Sequence, residues 1–165
     1  MTLAVVDPAG KNDPMSHRDA VRVPVAFGGA TPVLPVQDLE ASIEYYERVL
    51  GFTVDWRDPG IIASVSREQC GLFLSQGDQG HPGTWVWIGA SDVALLFEEY
   101  RRKGARIRHP PANYSWAFEM QVEDLDGNVL RIGSEPRPDQ PPGEWLDMRG
   151  QRWARSEAGW TRVGS

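Results

Sequence analysis

A chain of 165 residues with 41% hydrophobic and 24% charged side chains has the size and composition of one compact domain with tails. It has no apolar run near the ~20 residues needed to cross a bilayer, and residues 1–10 lack the basic segment and apolar stretch of a secretory signal. The net charge of −6 opposes nucleic-acid binding and the single cysteine, Cys70, excludes an intrachain disulfide, so a cytoplasmic protein is expected, with neither nucleic acid nor membrane as partner.

In chain order, residues 1–30 carry Pro8, Gly10, Pro14, Pro24, Gly28 and Gly29 without a sustained period, and read as a loosely ordered arm with a short extended piece at 21–27. Residues 31–36 form an apolar, β-branched run of strand length. Asp38 then stands where it caps a helix by accepting hydrogen bonds from the first free backbone N–H groups. Leu39, Ile43, Tyr46 and Leu50 share one helical face, and Gly51 supplies the left-handed turn that ends the helix. Strands are predicted at 52–56, 61–65 and 70–75 with a turn at 57–60, and the polar, Gly-rich segment 76–83 reads as a linker.

The design then repeats. A strand at 85–90 leads to Ser91 or Asp92 as cap, to a stripe of Val93, Leu96, Phe97 and Tyr100, and to Gly104 as stop. Asp38 and Asp92, Glu44 and Glu98, Tyr46 and Tyr100, and Arg48 and Arg102 are each 54 residues apart, which points to a duplicated module. The second copy continues with a strand at 105–108, a long loop HPPANYS, a strand at 116–122, a turn at Asp126-Gly127-Asn128, and a strand at 129–133. Two βαβββ modules, 31–76 and 85–133, thus make one domain over 31–133 of α+β class. The expected form is a curved mixed sheet with a concave ligand cleft and helices on the outer face.

Residues 134–165 open with a Pro-rich spacer expected to be extended, followed by a stretch with Trp145, Trp153 and Trp160. Each indole buries up to ~250 Å², too much apolar area for a free tail, so this extension is expected to pack back on the domain or on a partner subunit.

The wording of Tyr45 to Phe52, YYERVLGF, and the closing DLDGNVL of 124–130 resemble the vicinal oxygen chelate superfamily, which includes glyoxalase I, extradiol dioxygenases, fosfomycin-inactivating enzymes and bleomycin resistance proteins. Its enzymes hold a divalent metal through His, Gln or Glu in the first and last strands of each unit. Here the resemblance puts Thr31, about Leu74, Trp85 and Arg131 at those positions, none of them a metal donor. His17, His81 and His109 have no ligand-like spacing, and Cys70 has no His partner, so no catalytic residue, metal or cofactor is expected.

Without the metal set the chain is similar to the bleomycin resistance proteins, and TPVLPVQD, RDPG at 57–60 and LDGNVLRI add to the likeness. That resemblance implies a homodimer that sequesters a small cationic or aromatic drug, such as a bleomycin-type glycopeptide, in its grooves. Ile61 and Ile62 stand where those proteins offer an aromatic platform, and the Trp-rich extension is additional. Side chains alternate along 85–90, so Trp85 and Trp87 share a face, and with Trp56, Tyr114, Trp116 and Arg131 they are the expected ligand-binding residues. The same aromatics would close the cleft if they serve as core. The alternatives are an enzyme of the superfamily, metal-dependent or using acid–base groups such as Glu119 or Asp55 in a glyoxalase-like or dioxygenase-like reaction, and a module that docks a protein through the tail tryptophans.

Overall fold

The computed structural model describes residues 29–164. The expected N-terminal arm, with its extended piece at 21–27, lies outside the described residues apart from Gly29 and Ala30. The first unit runs β1 (Val33–Pro35), α1 (Leu39–Arg48), β2 (Thr53–Asp58), β3 (Ile62–Arg67) and β4 (Cys70–Ser75). The second runs β5 (Trp85–Gly89), α2 (Val93–Lys103), β6 (Arg106–Asn113), β7 (Phe118–Glu123) and β8 (Val129–Ser134). Both are βαβββ, and both sheets have the same order, β1-β4-β3-β2 and β5-β8-β7-β6. In each, the first strand runs parallel to the last and the other pairs are antiparallel. The class is α+β, with the mixed sheet present as two four-stranded halves.

The helices form where their end signals stand. Asp38 accepts from the Ala41 N–H at 3.0 Å, and Asp92, rather than Ser91, caps α2 by accepting from Ala94 and Leu95 at 2.9 and 3.1 Å. Gly104, at φ +75°, turns the chain out of α2 in the left-handed region that side chains disfavour. Asp92→Ala removes the acceptor of two otherwise orphan donors and is expected to cost about 1 kcal/mol. A lowered urea midpoint checks this, and an unchanged midpoint would assign the start of α2 to packing alone.

The stripes face one core. Leu39, Ile43, Tyr46 and Leu50 from the first unit, and Val93 and Tyr100 from the second, pack with Leu34, Ala63, Val65, Leu72, Leu74, Met120, Val122, Leu130 and Ile132. The duplicated tyrosines tie the units together reciprocally. Tyr46 donates to the Asp124 carboxylate at 3.2 Å, and Tyr100 donates to the Leu50 carbonyl at 3.0 Å. Asp124 also accepts from the backbone N–H groups of Asp126 and Asn128, both at 2.9 Å, which holds the Asp-Gly-Asn hairpin against α1. Because the core takes one face of each sheet, strand alternation commits the opposite face to other work.

Strand β3 runs on two residues past its expected end, to Arg67, and three further departures from the expected boundaries stand out. Strand β2 continues two residues into the expected turn, to Asp58, and β7 begins at Phe118 rather than Trp116. The third is the stretch HPPANYS, expected as a loop, where β6 instead runs through His109, Pro110 and Pro111 to Asn113. His109 pairs with Gln121 and Ala112 with Glu119, so three steps on β6 match two on β7 and the prolines sit in a bulge. Since β6 is an edge strand, their missing N–H groups interrupt no inner ladder.

The tail forms its own antiparallel sheet, ordered β11-β10-β9, from β9 (Trp145–Leu146), β10 (Arg152–Ser156) and β11 (Gly159–Arg162). The spacer before it is anchored. Asn113 donates from its amide to the carbonyls of Arg137 and Gln140 at 2.8 and 2.9 Å and accepts from the Arg137 N–H at 2.8 Å. A backbone turn from Arg137 to Gln140 shortens it further.

Candidate functional site: an aromatic and arginine nest on the second sheet

On β5, Val86 and Ile88 pack against the core, and Trp85 and Trp87 face away. On β7, Phe118, Met120 and Val122 take the core side, which leaves Glu119, Gln121 and Glu123 on the other. On β8, Leu130 and Ile132 face the core and Arg131 does not. The ladder sets Arg131 between Trp87 on β5 and Gln121 on β7. One sheet face thereby collects two indoles, a guanidinium, two carboxylates and a carboxamide.

Glu119 is the centre of this face. It is 1% exposed, and its carboxylate accepts four hydrogen bonds. Arg131 gives two of them, Nε to Oε1 at 2.8 Å and Nη2 to Oε2 at 3.0 Å, and Trp87 and Trp116 donate their indole N–H groups to Oε2 at 3.2 and 3.3 Å. Three of these bonds fall on Oε2 and one on Oε1, so both carboxylate oxygens are engaged by donors of the face. Trp87 reaches it by crossing Gly133, where an added Cβ would meet the indole at 3.1 Å. The other acid–base candidate, Asp55, accepts from the hydroxyls of Ser64 and Ser66 at 2.9 and 2.7 Å on the first sheet.

The nest is roofed by the tail. Trp145 has its ring centroid 5.8 Å from Tyr114, 6.1 Å from Trp116 and 6.2 Å from Trp85. The Arg131 guanidinium carbon lies 4.7 Å from the Trp145 ring centre, over its face. Tyr114 and Trp116 stack at 4.8 Å, and Trp160 meets Trp116 at 6.0 Å. Three donors of the domain hold the tail backbone. The Tyr114 hydroxyl binds the Glu144 carbonyl at 2.7 Å, the Gln121 amide the Leu146 carbonyl at 2.9 Å, and Arg108 Nη2 the Asp147 carbonyl at 2.7 Å. Burial, with the Glu119 charge adding to it, pushes the Tyr114 phenol well up, so it stays an O–H donor.

Of the six expected ligand-binding residues, Trp85, Tyr114, Trp116 and Arg131 meet around Trp145, and Trp87 joins them through Glu119. Trp56 does not: it packs on Phe73 at 5.4 Å on the first sheet. The alternation of FEMQVE is the sequence signal that puts Glu119 and Gln121 on Arg131's face, whereas the seating of Trp145 has no comparable signal. A separate cavity of about 1080 Å³ opens between the β3–β4 turn and β5 with α2, lined by Phe52, Cys70, Leu72, Trp87 and Leu96 among others. Trp87 is its one member from the expected set. Cys70 is half-buried, and burial pushes its thiol up, away from a reactive thiolate.

The residues at the superfamily's metal positions do not fit a cation. Thr31 is exposed ahead of β1, Leu74 is fully buried on the core side, Trp85 lies beneath Trp145, and Arg131 is held by Glu119. His81 is exposed in the linker, and His109 lies with Nδ1 2.7 Å from the Pro110 carbonyl oxygen; His17 is outside the described residues. Among the described residues, no three His, Cys, Asp or Glu side chains gather as a metal site, and no helix is long and apolar enough to cross a membrane.

Known proteins share this fold. Among solved structures, the bleomycin-binding protein of bleomycin-producing Streptomyces verticillus, in complex with copper(II)-bleomycin, is 28% identical with a TM-score of 0.59, covering 67% of this chain and 98% of that one. The bleomycin resistance determinant encoded on the transposon Tn5 is 26% identical with a TM-score of 0.58, covering 66% and 98%. An antibiotic binding protein from Streptomyces sp. CB03234, TnmS3, is 22% identical with a TM-score of 0.59, covering 68% and 99%, and shares the fold. No curated protein matches the chain. The family model of the Glyoxalase/Bleomycin resistance protein/Dioxygenase superfamily matches residues 29–132, most of the chain and both βαβββ units, and the chain belongs to that superfamily.

Proposed function

We propose that the chain is a small-molecule binder that sequesters an aromatic or cationic drug, such as a bleomycin-type glycopeptide, without chemistry on it. The observation that carries this reading is the nest itself: five of the six expected residues gather on one sheet face, with flat walls at Trp85, Tyr114 and Trp116. Its one buried carboxylate accepts from four donors, an arrangement that fixes the surrounding side chains in place. Membership of a superfamily that includes bleomycin-binding proteins supports the same reading. The reading includes a cytoplasmic homodimer. The edge position of β5 among the described residues, with Trp87 53% exposed on it, supports an association through that edge, and sedimentation of the purified chain measures it.

Titration with metal-free bleomycin, followed by tryptophan fluorescence, tests the binding. Saturable quenching at about one ligand per chain is expected, weakened at least several-fold by Trp85→Ala, and no response at roughly 1 mM ligand would remove the drug assignment.

A further inference from the structure

We infer that the second-sheet nest is a binding site for a planar, electron-rich aromatic ring flanked by carbonyl acceptors, and that the C-terminal extension occupies it as a tethered competitor. The inference rests on the proposed binding role and specifies which chemistry the site takes.

Trp145 is held as a ligand would be. Its indole face lies on the Arg131 guanidinium, and the rings of Tyr114 and Trp116 meet it nearly perpendicularly, at 75° and 72°. Carbonyls on both sides of the ring are bound by donors of the domain: that of residue 144 before it, by Tyr114, and those of 146 and 147 after it, by Gln121 and Arg108. Each of these donors lies within the family-matched residues 29–132, whereas Trp145 lies in the extension beyond them. The site therefore reads a ring plus acceptor oxygens, as an aromatic amide presents them. The Arg131 guanidinium over the ring face favours an electron-rich ring over an electron-poor one.

The same contacts make the tail a gate. A ligand needing this face finds it free only in the fraction of molecules whose tail is displaced, and its apparent affinity falls by that fraction. Asn113 sets the tether, because its side chain fixes the spacer at Arg137 and Gln140.

The test uses the full chain and N-acetyl-tryptophanamide, an indole with amide carbonyls on both sides. Trp145→Ala is expected to bind the probe with a dissociation constant of roughly 1–5 mM, at least about tenfold tighter than the unsubstituted chain. Chemical shift changes should fall on the indole N–H signals of Trp85 and Trp116. Asn113→Ala, which keeps Trp145, should tighten probe binding by a smaller factor, and it stands in should Trp145→Ala fail to fold. Equal affinities across these proteins, absent binding at roughly 20 mM, or shifts confined to other residues would each overturn the inference. Discrimination of the probe by Trp145→Ala, with bleomycin bound by neither protein, would remove the drug assignment and leave this site standing. Bleomycin binding weakened by Trp85→Ala, with no discrimination of the probe, would do the reverse.

Discussion

Glu119→Ala is expected to destabilise the chain by about 3 kcal/mol, enough to remove a large part of the net stability of a domain this size. The carboxylate is 1% exposed and neutralises Arg131, whose own side chain keeps 26% exposure. Removing it strands a guanidinium among indoles and leaves two indole N–H groups without their acceptor. Breaking a buried pair from one side costs about 3–5 kcal/mol, and the partial exposure of Arg131 and of both tryptophans to water sets the expectation at the lower end. The double variant Glu119→Met, Arg131→Met separates charge from packing, because apolar side chains of similar volume replace the pair together. Its stability is expected within about 1 kcal/mol of the starting chain. Urea denaturation followed by tryptophan fluorescence measures both, and a loss below about 1 kcal/mol for Glu119→Ala would show that water replaces the network at little cost.

The same network marks where sequence reading reached and where it stopped. The helices were legible because each carries its own start signal, its own stripe and its own stop, and these local preferences agree with the global fold. Asp38 and Asp92 cap as expected, and Leu39, Ile43, Tyr46, Leu50, Val93 and Tyr100 are buried as the spacing requires. The 54-residue offset even paired the tyrosines that cross-link the units, although nothing local says that Tyr46 finds Asp124 and Tyr100 finds Leu50. The second part of strand β6, from His109 to Asn113, was hidden because Pro110 and Pro111 signal a loop unless the strand is known to be an edge with a bulge, which is a property of the sheet.

For the site, alternation carried Trp85 and Trp87 to one face, and register then brought Arg131 beside them. Trp56 has the same strand logic but sits on the other sheet, where Phe73 is its neighbour, and alternation alone does not say which sheet faces which. The tail was legible only as apolar area in need of cover. That Trp145 rather than Trp153 or Trp160 takes the Arg131 face depends on where Asn113 pins the spacer, and that is fixed by tertiary contacts alone.

A steep alkaline limit is the other large expected effect, and it follows from the tyrosines. All four, Tyr45, Tyr46, Tyr100 and Tyr114, have phenol groups pushed up chiefly by burial, Tyr100 to about 12. An unfolded tyrosine releases its proton near pH 10, whereas the folded one keeps it until its raised value is reached. Between those values the unfolded chain binds fewer protons than the folded one, so stability falls as pH rises. The contribution is fully present below about pH 10. For Tyr100, a change of about two pH units corresponds to roughly 3 kcal/mol, and Tyr46 and Tyr114 add to it in the same direction. The chain is therefore expected to lose at least about 2 kcal/mol between about pH 9 and 12 from Tyr100 alone, and with the other tyrosines adding to it, to unfold within that interval. Phenolate absorbance should rise in one step together with the loss of ellipticity. Tyr46→Phe gives up the bond to Asp124, and should lower stability at neutral pH while making the alkaline decline shallower. Phenolates that form gradually near pH 10 in a chain that stays folded would mean that these hydroxyls reach solvent, and that the reciprocal tyrosine anchors open without unfolding.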